Sequence, residues 1–439
     1  MVPQFFFRPQ EMGHGLYKNN TARNLVGVNG EVIVLSEEYE EKPDAIEVID
    51  LPPPHELMEQ EVKPRHRACD CNINSVWIDM VFVIDTSRAV SQQDFIAAGN
   101  LLRFFFSRMA IDQKLGQYAR VGLIFGAEKA YVAANLTTFK TKEEAAQRIK
   151  QLMADRKRLP TGSGLQFNVG LALTEAKNIL NRESRINRPA MVTLFSATEV
   201  TCHRYYSSRQ SRIRRIHMED PCRIATHLTA ENNIVATVAL KFGKLQRFPK
   251  IEIATPCFNI TNSINLPGDL LQKICDANCF CPPPYVQYKD DQKCRRYAEC
   301  LYQHGVALPF QSAADTCSDD EATLVDIFDE DKDQFIKRLH QYGEHTPYWI
   351  GLEEHNGEKF WATGRKLHAK DFSNWAPGEP SGKGKCTIAD ADKGDNSLWS
   401  QEKCDNIQSK YFSCQKRACD TSNYCTIVAN DNQDTKMLL

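Results

Sequence analysis

Tyr348-Trp349-Ile350-Gly351-Leu352 is the stretch whose reading decides the fold. It heads a run that ends at Phe412-Ser413-Cys414 and encloses Asn374-Trp375, Gly378-Glu379-Pro380-Ser381, Cys386, Trp399 and Cys404. An apolar strand thus packs against a long, irregular region punctuated by aromatics and closed by cysteines. A chain builds such a segment when loops carry its function and disulfides hold them. Upstream, Phe310 to Cys317 predicts one helix and Asp331 to Leu339 a second, with Phe335 and Leu339 at i,i+4 facing the core. Trp349, Trp361, Trp375 and Trp399 read as core or loop-anchoring packing rather than sugar-stacking rings. Trp399 also stays, with Glu379 and Ser381, among the candidate ligand-binding residues.

These residues resemble a C-type lectin domain, whose WIGL strand is present as Trp349 to Leu352. The resemblance implies that Cys317 pairs with Cys414 and Cys386 with Cys404, and that Cys281 and Cys294 form the extra bridge of the longer form. It also implies a calcium and sugar site. Glu379-Pro380 matches the start of the family's first motif, but Ser381 replaces its amide. Gly382-Lys383-Gly384-Lys385 puts lysines where a carboxylate is expected, and Ser400-Gln401 replaces Asn-Asp after Trp399. Lysines repel Ca²⁺, and the remaining oxygens are too few for a hard cation. Calcium is therefore disfavoured, with Glu379 left as a remnant. Asp390, Asp392, Asp395 and Asn396 form an acidic loop that could hold a metal differently but reads better as solvated.

The whole chain has 439 residues, sixteen cysteines and a formal net charge of -2. That length suits two or three domains, each able to bury a core. Near-neutral charge gives no reason to expect nucleic acid or an acidic membrane surface. An even cysteine count without paired metal-ligand motifs reads as disulfides in an oxidising compartment, hence a secreted protein. Sequons at Asn19, Asn135 and Asn259 are compatible with this. No stretch approaches the ~20 apolar residues that span a bilayer. Met1-Val-Pro-Gln-Phe-Phe-Phe-Arg8 lacks the apolar core of a signal peptide, so a truncated or misassigned start is expected.

From Trp77 to about Ile274 strand and helix patterns alternate. Ile78 to Ile84 is a continuous apolar run, as a buried central strand should be. Ser91-Gln-Gln-Asp94 caps a helix with Phe95, Ala98, Leu102, Phe105 and Met109 at helical spacing. Strands follow at Arg120 to Phe125, Met191 to Phe195 and Ile234 to Leu240. Thr141 caps one further helix; Val169, Leu173, Ala176 and Leu180 line another; Asp220-Pro221 starts a third. The alternation argues for a doubly wound, mostly parallel sheet, with its ligand site at the strands' carboxyl ends. There Asp85-Thr-Ser87 resembles the opening of the metal loop of a von Willebrand factor A domain. Asp85 and Ser87 match, Ala89 replaces the second serine, and the family's threonine and later aspartate fall on Phe167 and Ala197. A retained fold with a degenerate metal site is expected.

Cys202 and Cys222 bracket a loop at the same end that carries Arg204, Arg209, Arg212, Arg214 and Arg215. Guanidinium groups bind sulfate, phosphate or carboxylate bidentately, so an anionic glycan or acidic protein surface is a candidate partner. A disulfide across Cys202 and Cys222 is expected. Arg212-Ile213-Arg214-Arg215 also resembles a dibasic processing site. One of Cys69 or Cys71 is expected to bridge to Cys275 or Cys279, because the two ends of a doubly wound domain can lie close together.

The expected organisation is α/β followed by α+β. Residues 1–68 form a disordered leader, 69–279 a von Willebrand A-like domain, 280–418 a disulfide-stapled C-type lectin-like domain, and 419–439 a disordered tail. No phosphate loop, nucleophile elbow or HExxH helix appears. The combination looks like invertebrate secreted proteins linked to recognition at cell surfaces, in matrix and in innate defence. The expected function is non-enzymatic recognition of a glycan or extracellular protein, polyanions included, without bound metal. A calcium-dependent lectin and a structural matrix component are the competing readings.

Overall fold

The computed structural model describes residues 67–425 apart from 160–165, 187, 203–219, 242–246, 262–264, 343–344, 394 and 406. Residues 1–66 of the expected leader and 426–439 of the expected tail lie outside the described residues. So do the sequon at Asn19 and all five arginines of the Cys202–Cys222 loop.

The first apolar run becomes β1 (Asp79–Asp85), buried at every position. It pairs in parallel with β2 (Arg120–Gly126) and β4 (Ala190–Ser196), and β5 (Ile234–Ala239) and β6 (Asn259–Ile260) extend the sheet beyond β4. A short antiparallel strand, β3 (Ala130–Ala134), closes the other edge, giving the order β3-β2-β1-β4-β5-β6. Strand alternation divides the core in two. Met80, Phe82 and Ile84 face helices α1 (Gln92–Phe106), α2 (Lys142–Met153) and α5 (Leu266–Ala277). Val81 and Val83 face α3 (Val169–Glu183) and α4 (Pro221–Ala230). The caps form as expected: Asp94 donates its N–H to Ser91 Oγ at 3.0 Å, and Glu144 donates to Thr141 Oγ1 at 3.2 Å. At the start of β1 the buried Asp79 carboxylate accepts from Arg185 N and Nε at 2.7 and 3.0 Å, which neutralises it.

In the C-terminal module the WIGL stretch lies in β10 (Tyr348–His355), at the centre of a second sheet. β12 (Cys386–Asp390) and β14 (Lys410–Arg417) flank it, and β13 (Leu398–Glu402), β8 (Arg295–Leu308) and β7 (Val286–Asp290) extend it outward. The order is β13-β12-β10-β14-β8-β7, with β9 (Thr323–Leu324) on β14 and β11 (Glu358–Trp361) on β10. Gly351 is required here because an added Cβ would lie 2.8 Å from the Leu324 carbonyl oxygen and 2.9 Å from Ala362 Cβ. Helices α6 (Phe310–Asp319) and α7 (Glu330–Tyr342) flank the sheet where the periodicity puts them. Phe335 and Leu339 pack partly buried against its core.

Three buried titratable groups oppose one another in this module. His340 stacks on Tyr348 at 3.7 Å, and burial drives its pKa down to about 3. Burial pushes Asp326 and Asp333 up to about 6. Between pH 7 and 5 only the unfolded chain protonates His340, so acidification costs about 2 kcal/mol. The two carboxylates, with raised folded values, gain protons in the native state and return roughly 1 kcal/mol each over that interval. The contributions nearly cancel. Denaturant unfolding should show His340→Gln gaining on the order of 2 kcal/mol from pH 7 to pH 5, with little net contribution from these three groups in the parent. An equally flat profile in the variant would refute this balance.

Three features of the junction bear on what was expected, the first of which bears out the arm bridge and adds a second. Both N-terminal cysteines are used: Cys69 pairs with Cys279 and Cys71 with Cys275. Cys281 does not pair with Cys294. Cys281 bonds Cys300, and Cys294 bonds Cys257 of the N-terminal module. The β7–β8 hairpin gives the reason. With Gln287 opposite Cys300 and Asp290 opposite Arg295, Cys294 sits at the closed end and Cys281 beyond the open end. About 3.3 Å per residue along the hairpin keeps them apart.

Third, the segment from Cys419 to Cys425 is ordered, not a disordered tail. A six-residue disulfide loop closes it, Cys419 pairs with Phe280 in a β-bridge, and Asp420 is buried. The Tyr424 ring lies 4.6 Å from Trp77, and the Arg188 guanidinium sits over both rings at 4.4 and 5.1 Å. Few apolar residues in this segment signalled order; the disulfide and the two aromatic contacts supply it. The chain enters beside this exit. Asp70 N donates to Asp420 Oδ2 at 3.0 Å, Asn72 N to Thr421 Oγ1 at 3.1 Å, and Thr421 Oγ1 to Asp70 O at 2.8 Å.

Candidate functional site

Two loop clusters carry the candidate residues. At the carboxyl end of the first sheet, β1 delivers Asp85 to a fully buried position. Its Oδ1 accepts the Ser87 N–H at 2.9 Å. Its Oδ2 accepts from Ala197 N–H at 3.1 Å, Ser196 Oγ at 3.2 Å and Thr198 Oγ1 at 3.4 Å. Burial pushes the Asp85 carboxyl up. Ser87 Oγ lies against the same carboxylate without completing a hydrogen bond of ordinary geometry. Phe167 is buried, and its ring lies so close over Gly126 that no side chain fits there. The exposed cation of Arg88 stands in the same loop. A divalent cation needs several free oxygen ligands. Here one carboxylate has both oxygens engaged, and Phe167, Ala89 and Ala197 stand at three further ligand positions. This donor set does not fit a divalent ion.

The second cluster lies where β10, β12 and β13 meet the long loop after β11. A cis peptide joins Glu379 to Pro380. Glu379 Oε2 accepts from the N–H groups of Ser381 and Gln401 at 2.8 and 3.1 Å. Gln401 spans the rest: its Oε1 accepts from Gly382 N–H at 2.6 Å, and its Nε2 donates to Glu354 Oε2 at 2.9 Å. Lys359 Nζ donates to the same Glu354 oxygen at 2.9 Å. The Lys359 and Gln401 hydrogen bonds hold the Glu354 carboxyl below its usual range, and Lys385 adds to the effect. Hydrogen bonds from Gln401 and Ser381, aided by Lys383, outweigh desolvation and lower Glu379. The carboxylates that would face a calcium ion are thus satisfied by the chain's own donors and lysines, and they do not fit calcium either.

Trp399, retained above as a ligand-binding candidate, is corrected by its surroundings. It is fully buried, with Trp361, Phe372 and Trp375 at 5.7, 5.8 and 5.7 Å, each near perpendicular. It anchors the loop and reaches no ligand. Ser381 is exposed beside Glu379. The Cys202–Cys222 bridge is present, so the arginine loop is tethered at both ends, while its arginines lie outside the described residues. Of the other two sequons, Asn135 is half-buried and Asn259 exposed. Cys317–Cys414 and Cys386–Cys404 are disulfides, and all sixteen cysteines are paired.

Two features with a catalytic or metal-binding look are structural. His340 Nε2 lies 2.8 Å from Ser413 Oγ, but both residues are fully buried and the imidazole is far too weak a base. Glu353 stands beside Cys386 and Cys404, whose sulfurs are already bonded to each other. Sequence reasoning missed Glu354, Lys359 and Lys403. A signal for Lys403 was present: it precedes Cys404 as Lys385 precedes Cys386.

Residues 79–266 match the von Willebrand factor type A domain, and residues 306–416 match the lectin C-type domain. The chain is 24% identical over 387 residues to C-type lectin domain-containing protein 160 of Caenorhabditis elegans, covering 83% of this chain and 57% of that protein. Over 116 residues it is 32% identical to E-selectin of Bos taurus, 26% of this chain and 23% of the selectin. Among solved structures, human lithostathine aligns with 31% of this chain and 99% of its own, at 21% identity and a TM-score of 0.27. The chain therefore spans a little over half of the nematode relative and about a quarter of the selectin. Both matched domains are modules of recognition and adhesion. No helix among the described residues is long and apolar enough to cross a membrane.

Proposed function

For a chain that joins a von Willebrand factor type A domain to a C-type lectin domain, we propose secreted, non-enzymatic recognition of a glycan or protein ligand without bound metal. One observation carries this reading. In each module the carboxylate that would head a metal site, Asp85 or Glu379, is already hydrogen-bonded by the chain's own N–H and O–H groups. Disulfides nevertheless stand beside both sites, Cys202–Cys222 in the first module and Cys386–Cys404 in the second. Eight disulfides support an oxidising, extracellular setting.

The test is thermal melting of the oxidised protein in EDTA, in millimolar Ca²⁺ and in millimolar Mg²⁺. An ion present at 100 times its Kd adds about 2.7 kcal/mol to native stability, enough to move the midpoint by several degrees. The expected result is one midpoint in all three buffers. A rise in Ca²⁺ would restore the lectin site as a metal site, and a rise in Mg²⁺ would restore the site at Asp85.

A further inference from the structure

The lectin-module site has replaced a cation with cations of its own. Gly384 presses on the β13 end so closely that an added Cβ would lie 2.5 Å from Lys403 N. The Cys386–Cys404 bridge ties the same two segments together. In the β12–β13 register Cys386 faces Glu402 and Thr387 faces Gln401. Alternation puts Gln401 and Thr387 on one face of the pair, and Lys385 and Lys403 follow just past its paired ends, where the Gly384 contact sets Lys403 beside the stretch that carries Lys383 and Lys385. Glu402 and Glu353 fall to the opposite face, the latter against the disulfide. Around Gln401 the chain therefore gathers Lys359, Lys383, Lys385 and Lys403 with Glu354 and Glu379, four positive charges to two negative.

Both of those carboxylates are satisfied. Glu354 is held by Lys359 and Gln401, and Glu379 by two backbone N–H groups. Lys383, Lys385 and Lys403 are exposed, and none of them forms an ion pair or side-chain hydrogen bond among the described residues. Like charges brought close together repel, and an anion set among them offsets that cost. We propose that Lys383, Lys385 and Lys403 form an anion seat that takes the sulfate groups of an acidic polysaccharide. A protein partner would need aromatic or aliphatic anchors at the patch centre. Here Trp361 and Trp399 are buried inside the module, so the surface offers ammonium groups.

The seat rests on the metal-free reading above, and its test separates the two. Binding of the whole oxidised chain to immobilised heparin is measured in EDTA at several salt concentrations, for the parent and for K385Q/K403Q. Selectively desulfated heparin and polyglutamate serve as competitors. The expected result is binding in EDTA that weakens with salt, a loss of roughly tenfold or more in the double variant, and heparin outcompeting both other polymers. Melting of the variant at the parent's midpoint shows that the loss is not unfolding. Binding within twofold of the parent overturns the seat while leaving metal-free recognition standing. Polyglutamate competing better than heparin overturns the polysaccharide and points to an acidic protein. Desulfated heparin competing equally assigns the contact to carboxylates and overturns the sulfate. Binding that appears only with Ca²⁺ overturns both readings.

Discussion

Removing both disulfides of the N-terminal arm should destabilise the chain far more than twice the effect of removing one. Cys69–Cys279 and Cys71–Cys275 close loops of 210 and 204 residues and are nested two and four residues apart. While either remains, the unfolded chain is still closed over nearly the same loop. Losing its partner then frees only a short segment, roughly 2 kcal/mol by loop-closure entropy. Losing both releases the long loop as well, on the order of 5 kcal/mol more. Serine pairs at 71 and 275, at 69 and 279, and at all four positions should therefore give two small shifts and one large shift in denaturant midpoint. Additive shifts would mean that the two bridges hold separately folding parts.

Trp399→Ala should be the most damaging single change inside the lectin module, at about 3–5 kcal/mol. The side chain is fully buried and touches three aromatic rings, Trp361 at the end of β11 and Phe372 and Trp375 in the loop after it. Its backbone also accepts from Ala376 N–H and donates to Asn374 O, both at 2.8 Å, so the same residue pins the loop leading to Glu379. The indole N–H has no hydrogen-bond partner. Trp399→Phe removes that buried donor and keeps most of the ring, so it should cost less than half as much. Unfolding monitored by far-UV circular dichroism compares the two. Equal losses would show that the indole N–H, and not ring volume, matters here.

The fold was legible because its signals are local and strong. The run from Ile78 to Ile84 has no polar position after Asp79, and the Ser91 and Thr141 caps mark helix starts with their own side chains. The WIGL stretch and the cysteines 317, 386, 404 and 414 located the second module. What stayed hidden depends on long-range register. Nothing beside Cys257 in sequence says that it meets Cys294, since both sit at turns with positive φ in different modules. The ordered exit segment was missed because its apolar content is slight. Its order comes from Trp77 and Arg188, far away in the chain. In the lectin site the departure from the family's calcium motif could be read from Ser381 and Gln401. The replacement network could not, because Glu354 and Lys359 come from a hairpin whose pairing only the folded sheet reveals.

The clamp between the entering arm and the exit segment has a mechanical consequence. The chain comes in through residues 67–72 and leaves through 418–425, and the two run against each other. A tether pulling on both ends would load that seam, with Cys69–Cys279 and Cys71–Cys275 behind the arm and the Arg188–Trp77–Tyr424 stack behind the exit. Tension of this kind would reach the covalent bridges before it reached β1 or β10. A pull between a ligand held at the loops and either end would instead pass through a module's hydrogen-bonded strands. The same body would then be stiff as a link in a chain and compliant as a hook.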